Sequence, residues 1–326
     1  MSYLMPPSVA VILAALCVWP APTTSDQSPG QRADALRRYE LDTTSPLESR
    51  IKPAPPAVLK MFADAELPAP TVHAVTPTEQ RRLSAAIAAL PPLHRRILAE
   101  RLRSMSFLDG MPNTALTSTV NLDEPYRVFD ITFRGGVLGE DVSMFLTQKE
   151  RTCFDTAGSA LSVAIEAGTT DAIAYVLLHE ATHIADSSLR LTPAARPGDE
   201  PADRSPSLFT KGIWSERTII DPRYRDPLLE RVTFRAKGEV LPIDRARSVY
   251  EALRRTPFAS LYGSSNWHDD LAEYVTWYHL TQKLTQPYRI VIREAGKETF
   301  AYEPMKSQIV RSRFDQMDRF YTDGVR

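Results

Sequence analysis

The chain has 326 residues, of which 43% are hydrophobic and 24% charged, so it can fold around a sizeable core. Its formal net charge of −1 gives no basic excess for binding nucleic acid, and we expect no such partner. With only 13 glycines and neither a G-x-G-x-x-G nor a Walker motif, a glycine-loop nucleotide-binding fold is not expected.

The N-terminus carries an apolar run over residues 9–19, followed by a proline. The run is too short for a comfortable membrane span and is typical of the hydrophobic part of a signal peptide. We therefore expect residues 1–25 to be a signal peptide or N-terminal anchor, and the protein to be periplasmic, in the cell envelope or secreted. No Lys or Arg precedes the run and no clean A-x-A site follows it, so an uncleaved anchor or a buried segment stays open. We predict no other stable membrane span.

The chain has two cysteines. Cys17 lies inside the apolar run, where it would be removed with the signal peptide or lipidated. Cys153 would then be alone, so we expect no intramolecular disulfide and a thiol in the core.

Residues 26–75 are rich in Pro, Ala, Ser and charge, which predicts a Pro-rich extended linker. One folded domain is expected over 76–326, with Thr76 as the N-cap of its first helix. Hydrophobic spacing predicts helices over 78–90 and 92–105. Alternating or short apolar runs predict three strands, at 126–133, 142–147 and 159–165.

The next predicted helix runs over 171–187, with Thr169 or Thr170 as its N-cap. It carries the sequence His179-Glu180-Ala181-Thr182-His183 after an apolar run. Residues four apart share a helix face, so the two imidazoles point the same way. This H-E-x-x-H pattern predicts two histidine ligands for Zn²⁺ and a glutamate that acts as general base on a metal-activated water.

Residues 191–206 are rich in Pro and Asp, which predicts a loop that is either a flap over the site or a solvated insertion. Asp186 is expected to be an exposed charge near the end of the motif helix. Further helices are predicted over 244–255, 267–284 and 304–321. This order predicts an α+β fold with a small mixed sheet packed on the active-site helix, followed by a mainly helical C-terminal part, as in a zincin.

Zinc in hydrolases usually takes three protein ligands, so a third must lie downstream. The metzincin continuation is absent because residues 186–189 read Asp-Ser-Ser-Leu. Asp269 and Glu273 share one face of the helix over 267–284, and that face continues as Trp277. Buried carboxylates need a partner or a metal, so we expect one of them to bind zinc and the other to orient a ligand histidine.

The two segments together resemble anthrax lethal factor and its relatives, which carry H-E-x-x-H followed by Tyr-Gly-x-x-Asn-x-x-Glu-x-x-x-Glu, usually with Ala before the last Glu. The matching residues at the same spacings are Tyr262, Gly263, Asn266, Asp269, Ala272 and Glu273. The resemblance covers about thirty residues, roughly a tenth of the chain. It implies a zincin-like metallopeptidase domain with Asp269 as third zinc ligand, Glu273 behind the ligands and Tyr262 as an electrophilic helper.

The chain departs from this family at Asp269, where the family has the longer Glu, so Glu273 stays an alternative third ligand. We expect a zinc metallopeptidase, by preference an endopeptidase, acting on a protein or peptide substrate. Tyr262, or less readily His268, would bind the developing oxyanion, and the strand at 159–165 would pair with an extended substrate. An exported inactive zincin-fold binding protein and a non-peptide zinc hydrolase are the alternatives. No feature of the sequence specifies an oligomeric state.

Overall fold

The computed structural model describes residues 29–122, 124–193 and 207–322, and within these ranges the protein is a mixed α+β structure with several small sheets. The α-helices are α1 (Pro29–Arg38), α2 (Pro56–Asp64), α3 (Pro77–Ala89), α4 (Pro92–Arg101), α5 (Val142–Arg151), α6 (Ala172–Leu189), α7 (Ala246–Leu253), α8 (Trp267–Tyr278) and α9 (Gln308–Arg311). The strands are β1 (Thr71–Val72), β2 (Leu102–Asp109), β3 (Ala115–Thr119), β4 (Phe129–Arg134), β5 (Phe154–Asp155), β6 (Leu161–Glu166), β7 (Trp214–Glu216), β8 (Ile219–Ile220), β9 (Leu241–Pro242), β10 (Arg289–Glu294) and β11 (Lys297–Tyr302). None of the described helices is long and apolar enough to cross a membrane. The predictions for residues 1–25, and for the loop over 194–206, lie outside the described residues.

The largest sheet has four strands in the order β1-β2-β4-β3, with β2 and β4 parallel and the other neighbours antiparallel. A second, antiparallel sheet has the order β11-β10-β6. Two further pairs join β5 to β9 and β7 to β8. Strand β3 is an edge of the first sheet, which matters for the site.

Helix α6 lies at the centre of the main core and packs against α3, α4, α5, α8 and β3. Fourteen of its eighteen residues are buried, so the helix is enclosed on nearly every side. The apolar run that begins it is suited to this position, because a helix that is apolar all round is stable only when it is covered. The predicted helix is confirmed, although the residue at its N-cap position is Asp171 and not Thr169 or Thr170.

The segment predicted as an extended linker is folded in its described part, residues 29–75, so that prediction is wrong there. Pro56 starts α2, and the buried side chains of Val58 and Phe62 lie one turn apart in a small apolar cluster. The buried guanidinium of Arg50 donates to the main-chain carbonyls of Leu98, Ala99 and Leu102 at the end of α4. Arg50 thus satisfies carbonyls that the last helical turn leaves without partners.

Two other predictions in this half need correction. The run predicted as a strand over 142–147 is the start of α5, because Asp141 caps its N-terminus by accepting from the amide of Met144 at 2.8 Å. The predicted helix over 92–105 ends at Arg101, where the chain turns into β2. The strands predicted at 126–133 and 159–165 are confirmed as β4 and β6, with shifted ends.

The C-terminal part is less helical than the sequence suggests. Helices α7 and α8 confirm two of the three predictions, and α8 continues as a π-helical turn over His279–Lys283. The hairpin of β10 and β11 was not predicted, and the last segment is a series of short turns around α9 and not one helix over 304–321. In the hairpin turn, Ala295 and Gly296 both have positive φ, at 47° and 82°. An alanine there gives little sequence signal for such a turn.

Candidate metal centre

Helix α6 presents two imidazoles on one face, as its spacing predicts. His179 is 6% exposed, and the Nε2 atoms of His179 and His183 are 3.2 Å apart. The buried body of α6 fixes both Cα positions, so the pair is held by the core and not by a loop. Both nitrogens therefore converge on one point beside the helix.

Helix α8 brings a carboxylate to that point. Asn266 begins the helix, and its side-chain oxygen accepts from the amides of His268 and Asp269 at 3.0 and 3.1 Å. The amide group of Asn266 and the hydroxyl of Ser265 donate to Oδ2 of Asp269 at 2.6 and 3.1 Å. With Oδ2 engaged, Oδ1 of Asp269 lies 3.7 Å from Nε2 of His179 and 3.4 Å from Nε2 of His183.

These three separations fit a small ion. A tetrahedral Zn²⁺ with bonds of ~2.0–2.1 Å would keep its ligand atoms about 3.3–3.4 Å apart. The measured values of 3.2, 3.4 and 3.7 Å bracket that spacing. Within the described residues, His179, His183 and Asp269 form the one group of three His, Cys, Asp or Glu side chains that could hold a metal ion.

Glu273 lies on the other side of His179, one helical turn after Asp269. Its Oε1 atom is 3.2 Å from Nδ1 of His179, away from the ligand atoms. The hydroxyl of Tyr175 donates to the same oxygen, and Ser260 donates to Oε2 at 2.6 Å. The Glu273 carboxylate thus contacts the back of a ligand imidazole, which is the arrangement of residues that orient metal ligands.

The carboxylates control protonation within this group. Burial alone would lower the pKa of His179, but its contacts with Asp269 and Glu273, and the charge of Glu180, raise it to about 9. Burial would raise the pKa of Asp269, yet the two imidazoles hold it well below its usual range. For Glu273 burial is likewise outweighed, by Lys149, His179 and Ser260, and its pKa falls to about 2. Both carboxylates therefore stay charged, and they face the imidazole of His179, whose pKa is raised.

Glu180 is buried beside the histidines and is held by a strand. The hydroxyl of Thr117 on β3 donates to Oε2 of Glu180 at 2.7 Å. The prediction that the strand at 159–165 lies beside the cleft needs correction, since β6 pairs with β10 and packs on α5. Among the described strands, β3 has the most extensive contact with the motif helix.

Tyr262 stacks on the imidazole of His179, with ring centroids 5.7 Å apart and planes 28° from parallel. Burial raises its pKa, and the charges of Asp269, Glu180 and Glu273 raise it further, so the phenol keeps its proton. The structure thus brings Tyr262 and Glu273 into contact with His179, which in turn groups with His183 and Asp269.

Asp186 is buried, and the prediction of an exposed charge is wrong. Its carboxylate accepts from the amide and hydroxyl of Thr192 at 2.7 Å and lies 2.8 Å from Nδ1 of His268. The indole of Trp267 donates to Nε2 of His268 at 3.0 Å. Both nitrogens of His268 are thus engaged away from the cluster, so the alternative of an oxyanion-binding His268 is not supported.

Sequence analysis does not predict four residues that contact the candidate site, namely Thr117, Lys149, Tyr175 and Ser260. Tyr175 had a usable signal, because it precedes His179 by four residues on the same helix face. The others come from distant parts of the chain and carry no local pattern. Asn266 was part of the recognised motif, and its position before an apolar helix is a common N-cap signal.

Comparison of the chain with models of protein families, with curated proteins and with solved structures found no match.

Proposed function

We propose that the protein is a zinc-dependent peptidase with a zincin-like domain. The observation that carries the proposal is the convergence of three ligand atoms at tetrahedral separations, with Glu180 next to the first ligand on the same helix. Helix α6 carries the two histidines and Glu180, and α8 follows with Asp269, which is the chain order of the motifs that the resemblance rests on. Edge strand β3 borders Glu180.

Zinc is favoured over other metals by the residues around the ligands. Two imidazoles and one carboxylate also suit non-haem Fe(II). An oxygenase, however, has no need of a carboxylate base fixed beside its ligands, whereas hydrolysis does. Glu180, oriented by Thr117 at 2.7 Å, meets that need. Metal analysis of the purified protein distinguishes the two metals.

When bound, zinc would polarise a scissile carbonyl and make a water molecule more acidic. Glu180 accepts the proton of the attacking water and delivers it to the leaving amine. Because Thr117 occupies Oε2, Oε1 of Glu180 is the oxygen that carries this proton. The hydroxyl of Tyr262 donates to the oxyanion that develops on the substrate.

Strand β3 favours an extended peptide as substrate. Thr114 accepts from the amide of Arg134 in β4, and the amide of Val120 donates to Val128, just before β4. The alternate residues between Thr114 and Val120 therefore turn their main-chain groups away from β4. Ala115 and Thr119 are two of these residues, at the outer edge of the sheet. A peptide that adds to this edge would pass beside Glu180, which is the β-augmentation mode of recognition.

The experiment is a cleavage assay on casein and on a peptide library, with the zinc content of each preparation measured. We expect Glu180→Gln to lower kcat by about 10²–10⁴-fold, the usual contribution of a general base, while zinc stays bound. Glu251→Gln is the matched control, because Glu251 lies on α7 with 46% of its side chain exposed and pairs with Arg247. Stoichiometric zinc without any Glu180-dependent cleavage would reject the peptidase and favour an inactive binding protein.

A further inference from the structure

Lys149, in the last turn of α5, directs its ammonium into the interior behind the metal cluster. Only 22% of its side chain is exposed. The Nζ atom lies 3.6 Å from the centre of the Tyr262 ring, and 5.9 and 5.8 Å from the rings of Tyr175 and Phe234. Its ion pair is with Oε1 of Glu273, at 4.0 Å.

A charge in this position is stabilised only if its neighbours replace the water it has lost. The faces of three aromatic rings and one carboxylate do so here, and cation–π attraction is strongest when the cation is desolvated. A cavity of about 10 Å³, roughly the room for one water molecule, borders Lys149, Tyr262 and Glu273. Glu150 also lines this cavity, but its carboxylate accepts from Tyr250 at 2.8 Å.

The partners of Lys149 are also the partners of His179. Tyr262 and Tyr175 stack on the imidazole, at 5.7 and 6.2 Å between centroids, and Glu273 faces its Nδ1 atom at 3.2 Å. One ammonium therefore contacts the residues that border the first metal ligand on several sides. A lysine in an ordinary surface ion pair would not share its neighbouring residues with His179 in this way.

We propose that Lys149 is a positioning residue of the metal centre, which holds Tyr262 and Glu273 against His179. Its positive charge fixes the Tyr262 ring by its π-face, and so directs the phenol hydroxyl to the reacting carbonyl. The same charge keeps the Glu273 carboxylate in place behind the imidazole. The catalytic part of this role rests on the proposed peptidase function, whereas the effect on the metal ligand does not.

The test compares Lys149→Met, which keeps the apolar stem and removes the charge, with Lys149→Arg, which keeps the charge. We expect Lys149→Met to lower kcat about 10-fold with KM within twofold, because the residue does not touch substrate. Lys149→Arg should recover most of that loss. In a Tyr262→Phe background, Lys149→Met should lower kcat less than twofold, since both changes remove the same hydroxyl placement.

A second readout is independent of activity. Zinc affinity, from competition with a chromophoric chelator, should fall about 10-fold in Lys149→Met, as is usual when a group that supports a metal ligand is lost. Lys60→Met is the matched control, because Lys60 is exposed on α2 and should leave affinity unchanged. Lys149→Gln, a shorter neutral polar side chain, replaces the Met variant if thermal melting shows that the latter is unfolded.

The outcomes separate the two proposals. If the wild-type protein binds zinc but cleaves nothing, the peptidase proposal fails, and the zinc affinities alone decide on Lys149. If Lys149→Met matches Lys60→Met in affinity, or Lys149→Arg is as impaired as Lys149→Met, the positioning role is overturned. If Lys149→Met lowered kcat as much in the Tyr262→Phe background as in the wild-type protein, Lys149 would not act through Tyr262.

Discussion

Two pairs of enclosed histidines lie on different sides of helix α6, and they differ in their neighbours. His179 and His183 face the carboxylate of Asp269, whereas His94 and His279 have hydroxyl partners and no carboxylate acts on their pKa values. Nε2 of His94 is 3.0 Å from the hydroxyl of Thr182, which belongs to the H-E-x-x-H motif but points into the core. Nδ1 of His279 is 2.9 Å from the hydroxyl of Tyr321.

The protonation of His94, His279 and His179 follows from those neighbours. Burial lowers the pKa of His94 to about 3 and that of His279 to about 4, so both are neutral at pH 7. His179 is as well buried, but acidic groups raise its pKa to about 9 in the metal-free protein. Burial alone therefore does not distinguish the candidate metal site from a pair of core histidines, and the carboxylates at the imidazole nitrogens do.

The largest effect on zinc affinity is expected from removal of the Asp269 carboxylate, which faces His179 and His183 but not His94 and His279. The free energy of zinc binding at a four-ligand site corresponds to roughly 2.5–4 kcal/mol for each ligand. We therefore expect Asp269→Ala to weaken zinc binding by about 10²–10³-fold, measured by competition with a chromophoric chelator. Glu273→Gln should weaken it by about 10–100-fold, as expected for a residue behind a ligand.

His94→Gln is the control for that measurement and should leave zinc affinity unchanged. If Glu273→Gln weakened binding as much as Asp269→Ala, the assignment of Asp269 as third ligand would be wrong. Glu273 is an alternative ligand in the sequence because Asp269 is shorter than the Glu that the resembling family has at this position. In the structure Oδ1 of Asp269 is nevertheless 3.4 Å from His183, because Asn266 and Ser265 hold the other oxygen.

For a physical reason, the sequence predicts which side chains of the candidate site come together better than it predicts the fold. Residues His179 to His183 share a face through local helical geometry, and the same geometry relates Asp269 to Glu273. Thr117 is 63 residues from its partner Glu180, and no local pattern encodes such a contact. The run at 142–147 shows the limit of periodicity, because a short apolar segment suits a strand or a helix until its cap is recognised.

A smaller effect, on the free energy of unfolding, is expected from a substitution of His94. The pKa of His94 is lowered from 6.5 to about 3 in the folded protein, so the unfolded chain binds more protons between these values. The contribution is present above pH 6.5 and is lost as the pH falls, by about 2 kcal/mol between pH 7.5 and pH 5. His94→Gln should reduce the acid loss in the free energy of unfolding by that amount.

Denaturant unfolding of the metal-free protein at both pH values measures this difference. His179 cannot produce it, because its pKa is shifted in the opposite direction. With a folded pKa of about 9, the contribution of His179 is fully present below pH 6.5 and is lost as the pH rises through 9. An unchanged acid loss in His94→Gln would show that His94 is not the neutral core group that its neighbours imply.

The smallest effect, on zinc affinity, is expected from a change at the contact between α6 and α8 that lies outside the cluster of His179, His183 and Asp269. Asp186 near the end of α6 contacts His268, which directly precedes Asp269 in α8, so this contact sets where the third ligand lies relative to the histidines. Asp186→Asn keeps the shape but loses the charge, and we expect zinc affinity to fall about 10-fold.

Arg313, whose guanidinium holds Asp270 at 2.8 and 3.0 Å, anchors the opposite face of the same helical turn. If Asp186→Asn lowered the free energy of unfolding while zinc affinity stayed within twofold, Arg313 and the Asn266 cap would suffice to position Asp269.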